Sequence, residues 1–169
     1  AIFDPPGGPG TLTLGANTRV WSENEFNAEW VDQTTGLATR VIEVNTYYET
    51  WDLNGQTIDF SGDVQSNTMV AGYDTYAFIK TLDPAQGWAT TQLVEEQLIG
   101  GQPFDLSLLV DGNVGETGLL SQVGFYVKGA YVDPLLADDQ GYVVPGATPE
   151  PATLAMLAVG GLALIRRRR

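Results

Sequence analysis

The sequence predicts an all-β protein, a two-layer antiparallel sandwich followed by a short hydrophobic helix at the C-terminal end. Three observations carry that expectation. Apolar and polar residues alternate at period two through most of the chain, turn signals rich in Gly, Pro and Asp separate the alternating runs, and no segment before residue 149 sustains the spacing of a helix. With 169 residues, 43% of them apolar, the chain has material for one domain with a real core.

The elements follow in order. Residues 1–10 contain PPGGPG and read as a flexible or polyproline-like arm with Ile2 and Phe3 as its apolar tip. Residues 11–145 form the sandwich domain, opening with short strands at 18–21 and 26–31. In 41–51 the residues Ile42, Val44, Thr46 and Tyr48 point one way and Glu43, Asn45, Tyr47, Glu49 and Trp51 the other. A turn at 52–55 leads into 57–65, where Ile58, Phe60 and Val64 alternate with polar residues, so the two strands are expected to pair. Further strands are expected at 73–82, 88–94, 142–144 and around Phe104, Leu106, Leu108, Val110 and Val123, Phe125, Val127. Turns are marked by Asp83-Pro84, Gly100-Gly101, Asp111-Gly112 and Asp133-Pro134, and 133–139 is long enough for one helical turn. Eight to ten short strands at this rhythm suggest a jelly-roll type of sandwich. Its expected core is Ile42, Val44, Ile58, Phe60, Leu106, Leu108, Phe125 and Val127.

Charge and missing residue types narrow the chemistry. There are 21 acidic residues against 8 basic ones, and four of the bases are Arg166, Arg167, Arg168 and Arg169. So acidic a body repels phosphate backbones and excludes nucleic acid as a partner. Without any Cys or His, the chain has no disulfide framework, no Cys/His zinc site and no His-based triad or Cys nucleophile.

Residues 146–169 change character. Pro149, Glu150 and Pro151 precede ATLAMLAVGGLALI at 152–165, and the arginine cluster follows at once. As a helix the apolar run would rise about 21 Å at about 1.5 Å per residue, short of a hydrocarbon core of about 30 Å, with the arginines on the cytoplasmic side. These three parts in this order resemble the PEP-CTERM sorting signal of Gram-negative bacteria. The resemblance implies an exported protein, held briefly at the inner membrane by its C-terminal helix and cut near Pro149 to Pro151 by an exosortase, a membrane cysteine peptidase and transpeptidase. Such proteins occur in organisms that make exopolysaccharide, and the implied destination is the cell surface or the medium. A chain opening on Ala1 instead of Met is expected of an exported protein that has lost its secretory leader. Residues 52–144, with DFSGDVQSN, AFIKTLDP and VGFYVKGAYVDP, are similar to jelly-roll carbohydrate-binding-module-like domains.

Three function classes are compatible with these features. The favoured one is a non-catalytic structural protein of the surface or matrix, associated with exopolysaccharide and self-assembling through the Ile2 and Phe3 arm into a filament or lattice. The second is a carbohydrate-binding module whose platform is Tyr47 and Trp51 among Asn45 and Glu49, since sugar rings stack on aromatic faces while amides and carboxylates bind hydroxyls. The same aromatic face also fits a sheet cover or a subunit interface. The third is a small glycosidase using two of Glu43, Glu49, Asp59 and Asp63 about 5–9 Å apart. No cofactor is required, although structural calcium is compatible with Asp4, Glu25, Asp133, Asp138 and Asp139, and the 111–116 loop lacks the EF-hand pattern.

Overall fold

The computed structural model describes residues 12–111 and 118–147. Their strands are β1 (Leu14–Gly15), β2 (Val41–Thr50), β3 (Thr57–Asn67), β4 (Asp74–Asp83), β5 (Ala89–Gln97), β6 (Pro103–Leu109), β7 (Leu120–Ala130) and β8 (Tyr142–Ala147), with one helix, α1 (Arg19–Asn24). The strands form two four-stranded sheets, ordered β1-β8-β3-β6 and β2-β7-β4-β5.

The order follows from one nested set of antiparallel pairs: β1 with β8, β2 with β7, β3 with β6, and β4 with β5. The chain is therefore one long hairpin, rolled so that successive pairs fall in alternate sheets. The pairs β3 with β8 and β4 with β7 close each sheet. This is the jelly-roll arrangement the strand rhythm suggested. Its innermost bend is the Asp83-Pro84 signal. Pro84 starts a single 3-10 turn, Asp83 Oδ1 accepts the Ala85 amide at 2.8 Å, and Gly87 at φ 68° ends it. The 133–139 region forms the expected turn as two 3-10 segments, Pro134–Leu136 and Asp138–Gln140.

The strand alternation explains the core between the sheets. Ile58, Leu106, Phe125 and Val127 are buried, with Phe60 and Leu108 packed against them, and Val64, Ile79 and Phe104 are among the other buried members of the layer. Phe60, Phe104 and Phe125 meet in a three-way aromatic contact with centroids 5.2 to 5.7 Å apart.

Three expectations are corrected. First, Val44, expected in the core, is 38% exposed, although it points toward the inner side of β2. Coverage there depends on the facing sheet, whose β1 is two residues long. Second, β2 and β3 do not pair. The turn between them crosses from one sheet to the other, and each finds its partners elsewhere. Third, 18–21 belongs to helix α1 with its preceding residue, and 26–31 is a series of turns. Side-chain oxygens decide that region: Asn17 Oδ1 accepts from Val20 N at 2.9 Å, Asn27 Oδ1 from Glu29 N at 3.0 Å, and Asp32 Oδ1 from Thr34 N and Thr35 N. Such local bonds offer the backbone an alternative to a ladder. The segment still buries a small core of its own, where Trp21, Val31 and Tyr131 pack with Trp30 and Ile42, and the Tyr131 hydroxyl donates to the Trp30 carbonyl.

Candidate functional site

The outer face of the β2-β7-β4-β5 sheet combines aromatic rings with carboxylates and a lysine. Register places Glu43, Asn45, Tyr47 and Glu49 of β2 opposite Lys128, Tyr126, Gly124 and Gln122 of β7. The next strand brings Tyr76, Phe78 and Lys80 alongside, and β5 adds Leu93 and Glu95. A shallow depression of about 130 Å³ opens on this face, lined by Glu43, Asn45, Phe78, Lys80, Thr90, Leu93, Glu95 and Tyr126.

Ring packing gives the face its rigidity. Tyr76 and Tyr126 stack with centroids 5.0 Å apart, and Phe78 lies 6.0 Å from Tyr126. Lys80 Nζ sits 5.0 Å from the Phe78 centroid and 6.0 Å from that of Tyr47, a distance at which the ammonium still feels the ring quadrupole. Tyr126 donates its hydroxyl to Glu95 Oε2 at 3.0 Å, and Gln122 Nε2 donates to Glu49 Oε2 at 3.0 Å. Burial pushes the Tyr126 phenol well above its ordinary range, and the Glu95 hydrogen bond and the carboxylate charges of Glu95 and Glu43 add to the effect. The phenol is therefore a fixed donor at neutral pH. Asn45 Oδ1, in contrast, is buried with no hydrogen-bond partner among the described residues.

Of the residues singled out in the sequence, Asn45, Tyr47 and Glu49 share this face as the alternation required. Tyr47 remains 46% exposed. Trp51 lies just beyond β2, where its ring meets Trp88 edge-on at 6.0 Å, forming a half-exposed indole pair at the end of the sheet. Trp88 holds φ at 69°, a left-handed conformation that favours glycine, directly after Gly87. Lys80, Leu93, Glu95, Tyr126 and Trp88 had not been singled out for the platform, because they come from strands that only the strand order brings beside β2.

The carboxylates considered for hydrolysis divide between sheets: Glu43 and Glu49 lie on β2, and Asp59 and Asp63 on β3, where Asp59 accepts from the Ser107 hydroxyl at 2.6 Å. Of the oxygens considered for calcium, Asp133 accepts the Leu135 amide at 2.9 Å as a turn cap. Among the described residues no three acidic side chains gather as a metal-binding group. Asp4, Ile2, Phe3, the 112–117 loop, the sorting-signal residues Pro149, Glu150, Pro151 and Arg166 to Arg169, and the 152–165 stretch all lie outside the described residues.

The fold and this face define a jelly-roll-type β-sandwich with an amphipathic, ring-bearing sheet surface. Residues 147–169 match the PEP-CTERM protein-sorting motif, which begins at the last residue of β8. The motif marks an exported protein, sorted by an exosortase to the cell surface or the medium. No curated protein and no solved structure matches the chain.

Proposed function

We propose that the exported chain is a non-catalytic protein of the cell surface or extracellular matrix that holds exopolysaccharide on the outer face of β2-β7-β4-β5 and self-associates. The observation behind the reading is the depression beside Tyr47, where apolar walls from Phe78 and Leu93 alternate with Glu43, Asn45, Lys80 and Glu95. A sugar ring has the same division, with apolar C–H faces and a hydroxyl edge. Export in a Gram-negative cell supplies the setting, with residues 152–165 anchoring the chain at the inner membrane until cleavage near Pro149 to Pro151.

The test is affinity electrophoresis of the exported protein in gels cast with the host exopolysaccharide. Wild-type protein should be retarded, and Tyr47→Ala and Lys80→Ala should each weaken retention about tenfold, since each side chain is at least partly exposed and its loss leaves the core intact. Migration unaffected by polysaccharide would remove the binding reading. Turnover of chromogenic glycans that is lost in Glu95→Gln would instead identify a glycosidase.

A further inference from the structure

The turn that carries the chain from β2 in one sheet to β3 in the other holds a chemically labile pair. Asn54-Gly55 is the one Asn-Gly step in the sequence. An asparagine before glycine is prone to lose its side-chain amide, because no Cβ on the next residue shields the main-chain nitrogen from the asparagine Cγ. Asn54 is half-buried and Gly55 exposed, so water reaches the pair from outside.

In the folded chain both reacting groups are already engaged. The Gly55 amide donates to the Val110 carbonyl at 3.0 Å, and the Val110 amide donates back to the Gln56 carbonyl at 2.9 Å. The Asn54 side chain does the work of a missing strand partner: Oδ1 accepts the Leu119 amide at 2.7 Å, while Nδ2 donates to the Trp51 carbonyl at 2.7 Å and the Leu119 carbonyl at 3.3 Å. It thereby ties the crossover turn to the residue that precedes β7. The tie is closely fitted, since a Cβ at Gly118 would lie 2.8 Å from Asn54 Nδ2, and both anchors, Val110 and Leu119, are buried in the core. Ring closure needs the Gly55 nitrogen deprotonated and the Asn54 Cγ turned onto it, so both sets of bonds must break first.

We propose that Asn54 is a modification site gated by the fold: it deamidates when the crossover turn opens locally, and the product keeps the turn open. In the open turn the Gly55 nitrogen gives up its proton and attacks Asn54 Cγ. The new C–N bond expels the side-chain nitrogen, which leaves as ammonia with that proton, and a cyclic imide remains. Water then opens the ring. Cleavage at Cγ yields aspartate, and cleavage at the main-chain carbonyl yields isoaspartate, with the backbone routed through the former side chain. The balance is one water consumed and one ammonia released, with no oxidant or reductant. Either product carries an ionised carboxylate, which accepts and cannot donate, so the bonds to the Trp51 and Leu119 carbonyls are lost and closing the turn would set oxygen against oxygen.

The test follows the full-length chain at mildly alkaline pH in native buffer and in urea, with aspartate and isoaspartate formation at Asn54 read by peptide mapping. Hydrogen exchange at the Gly55 amide gives the fraction of time that the turn is open. Deamidation should be slower in the native chain by about tenfold or more, and the ratio of the two rates should match the Gly55 protection factor. Gly118→Ala, which crowds Asn54 Nδ2, should raise the native rate and the Gly55 exchange together and leave the rate in urea unchanged. The deamidated chain, separated by its extra negative charge, and the Asn54→Asp variant should both exchange the Gly55 and Leu119 amides rapidly. Equal rates in native buffer and in urea would overturn the gate, as would an unmodified Asn54 in a native chain whose Gly55 amide exchanges freely. Native protection of Gly55 and Leu119 in the deamidated chain would overturn the claim that the product holds the turn open.

Discussion

Gly124 stands opposite Tyr47 in the β2–β7 ladder, and a Cβ at Gly124 would run into the Thr46 carbonyl oxygen and lie 2.6 Å from Tyr47 Cα. The obstructing atoms belong to the backbone, so no rotamer change relieves the contact. Only glycine lets β2 lie this close to β7 and keep Tyr47 beside the depression. Gly124→Ala is expected to cost about 1–3 kcal/mol by overpacking, a fall in Tm of about 2–4 °C per kcal/mol for a chain of this size. A thermal melt indistinguishable from wild type would mean that β2 does not hold this register.

Phe125 is where the sequence reading and the packing agree most closely, because its phase in the alternation places it between the sheets and the structure surrounds it with Phe60 and Phe104. Phe125→Ala should cost about 3–5 kcal/mol in denaturant unfolding through the cavity it leaves. A loss below 1 kcal/mol would contradict the burial of that ring.

Other features were less legible, for physical reasons. Alternation reports which side of a strand a residue faces and not whether anything lies opposite, which is why Val44 was expected inside although it is 38% exposed. Residues 18–21 and 26–31 were misread as strands because Asn17 and Asn27 fix turns there through local hydrogen bonds that leave no periodic trace. At the candidate site, Asn45, Tyr47 and Glu49 could be grouped from β2 alone. Lys80, Glu95 and Tyr126 could not, since their place beside β2 depends on the rolled hairpin.

One flank of the sandwich is sealed by side chains. Gln92 on β5 donates through Nε2 to the Leu109 carbonyl at 3.0 Å and accepts the Asp111 amide at 3.1 Å, while Glu96 accepts the Asp105 amide at 3.0 Å. Three groups along this edge, the Asp105 and Asp111 amides and the Leu109 carbonyl, are thereby occupied and withheld from another strand. Gln92→Ala should cost about 1–3 kcal/mol and speed hydrogen exchange at the Asp111 amide. Glu96→Gln, which keeps an acceptor oxygen, should cost less than Glu96→Ala. Unaltered exchange in Gln92→Ala would show that the clamp is idle in solution.

The Tyr126 phenol makes stability sensitive to alkali. Its folded pKa lies above the unfolded value of about 10, so the unfolded chain releases this proton first as pH rises. The contribution is fully present below about pH 10 and declines above it, because there the folded state binds more protons than the unfolded one. Tyr126→Phe cannot titrate. The stability gap between wild type and Tyr126→Phe, measured by urea unfolding, should therefore be constant from pH 7 to 9 and shift against wild type by pH 11. A gap that stays constant through pH 11 would place the phenol in an ordinary solvated environment.

Asn45 separates binding from folding most sharply. Its Oδ1 is buried on the wall of the depression without a partner among the described residues, and an orphaned acceptor costs the free protein stability. Valine suits a strand and carries no polar atom to strand there. If the amide is kept for a ligand hydroxyl, Asn45→Val should raise the stability of the free protein by about 1 kcal/mol and weaken polysaccharide retention about tenfold. The two effects have opposite sign, which a general loosening of the sheet could not produce. Parallel urea titrations and affinity gels would read both, and a variant that loses stability together with retention would make Asn45 a structural residue of the sheet and not a contact for sugar.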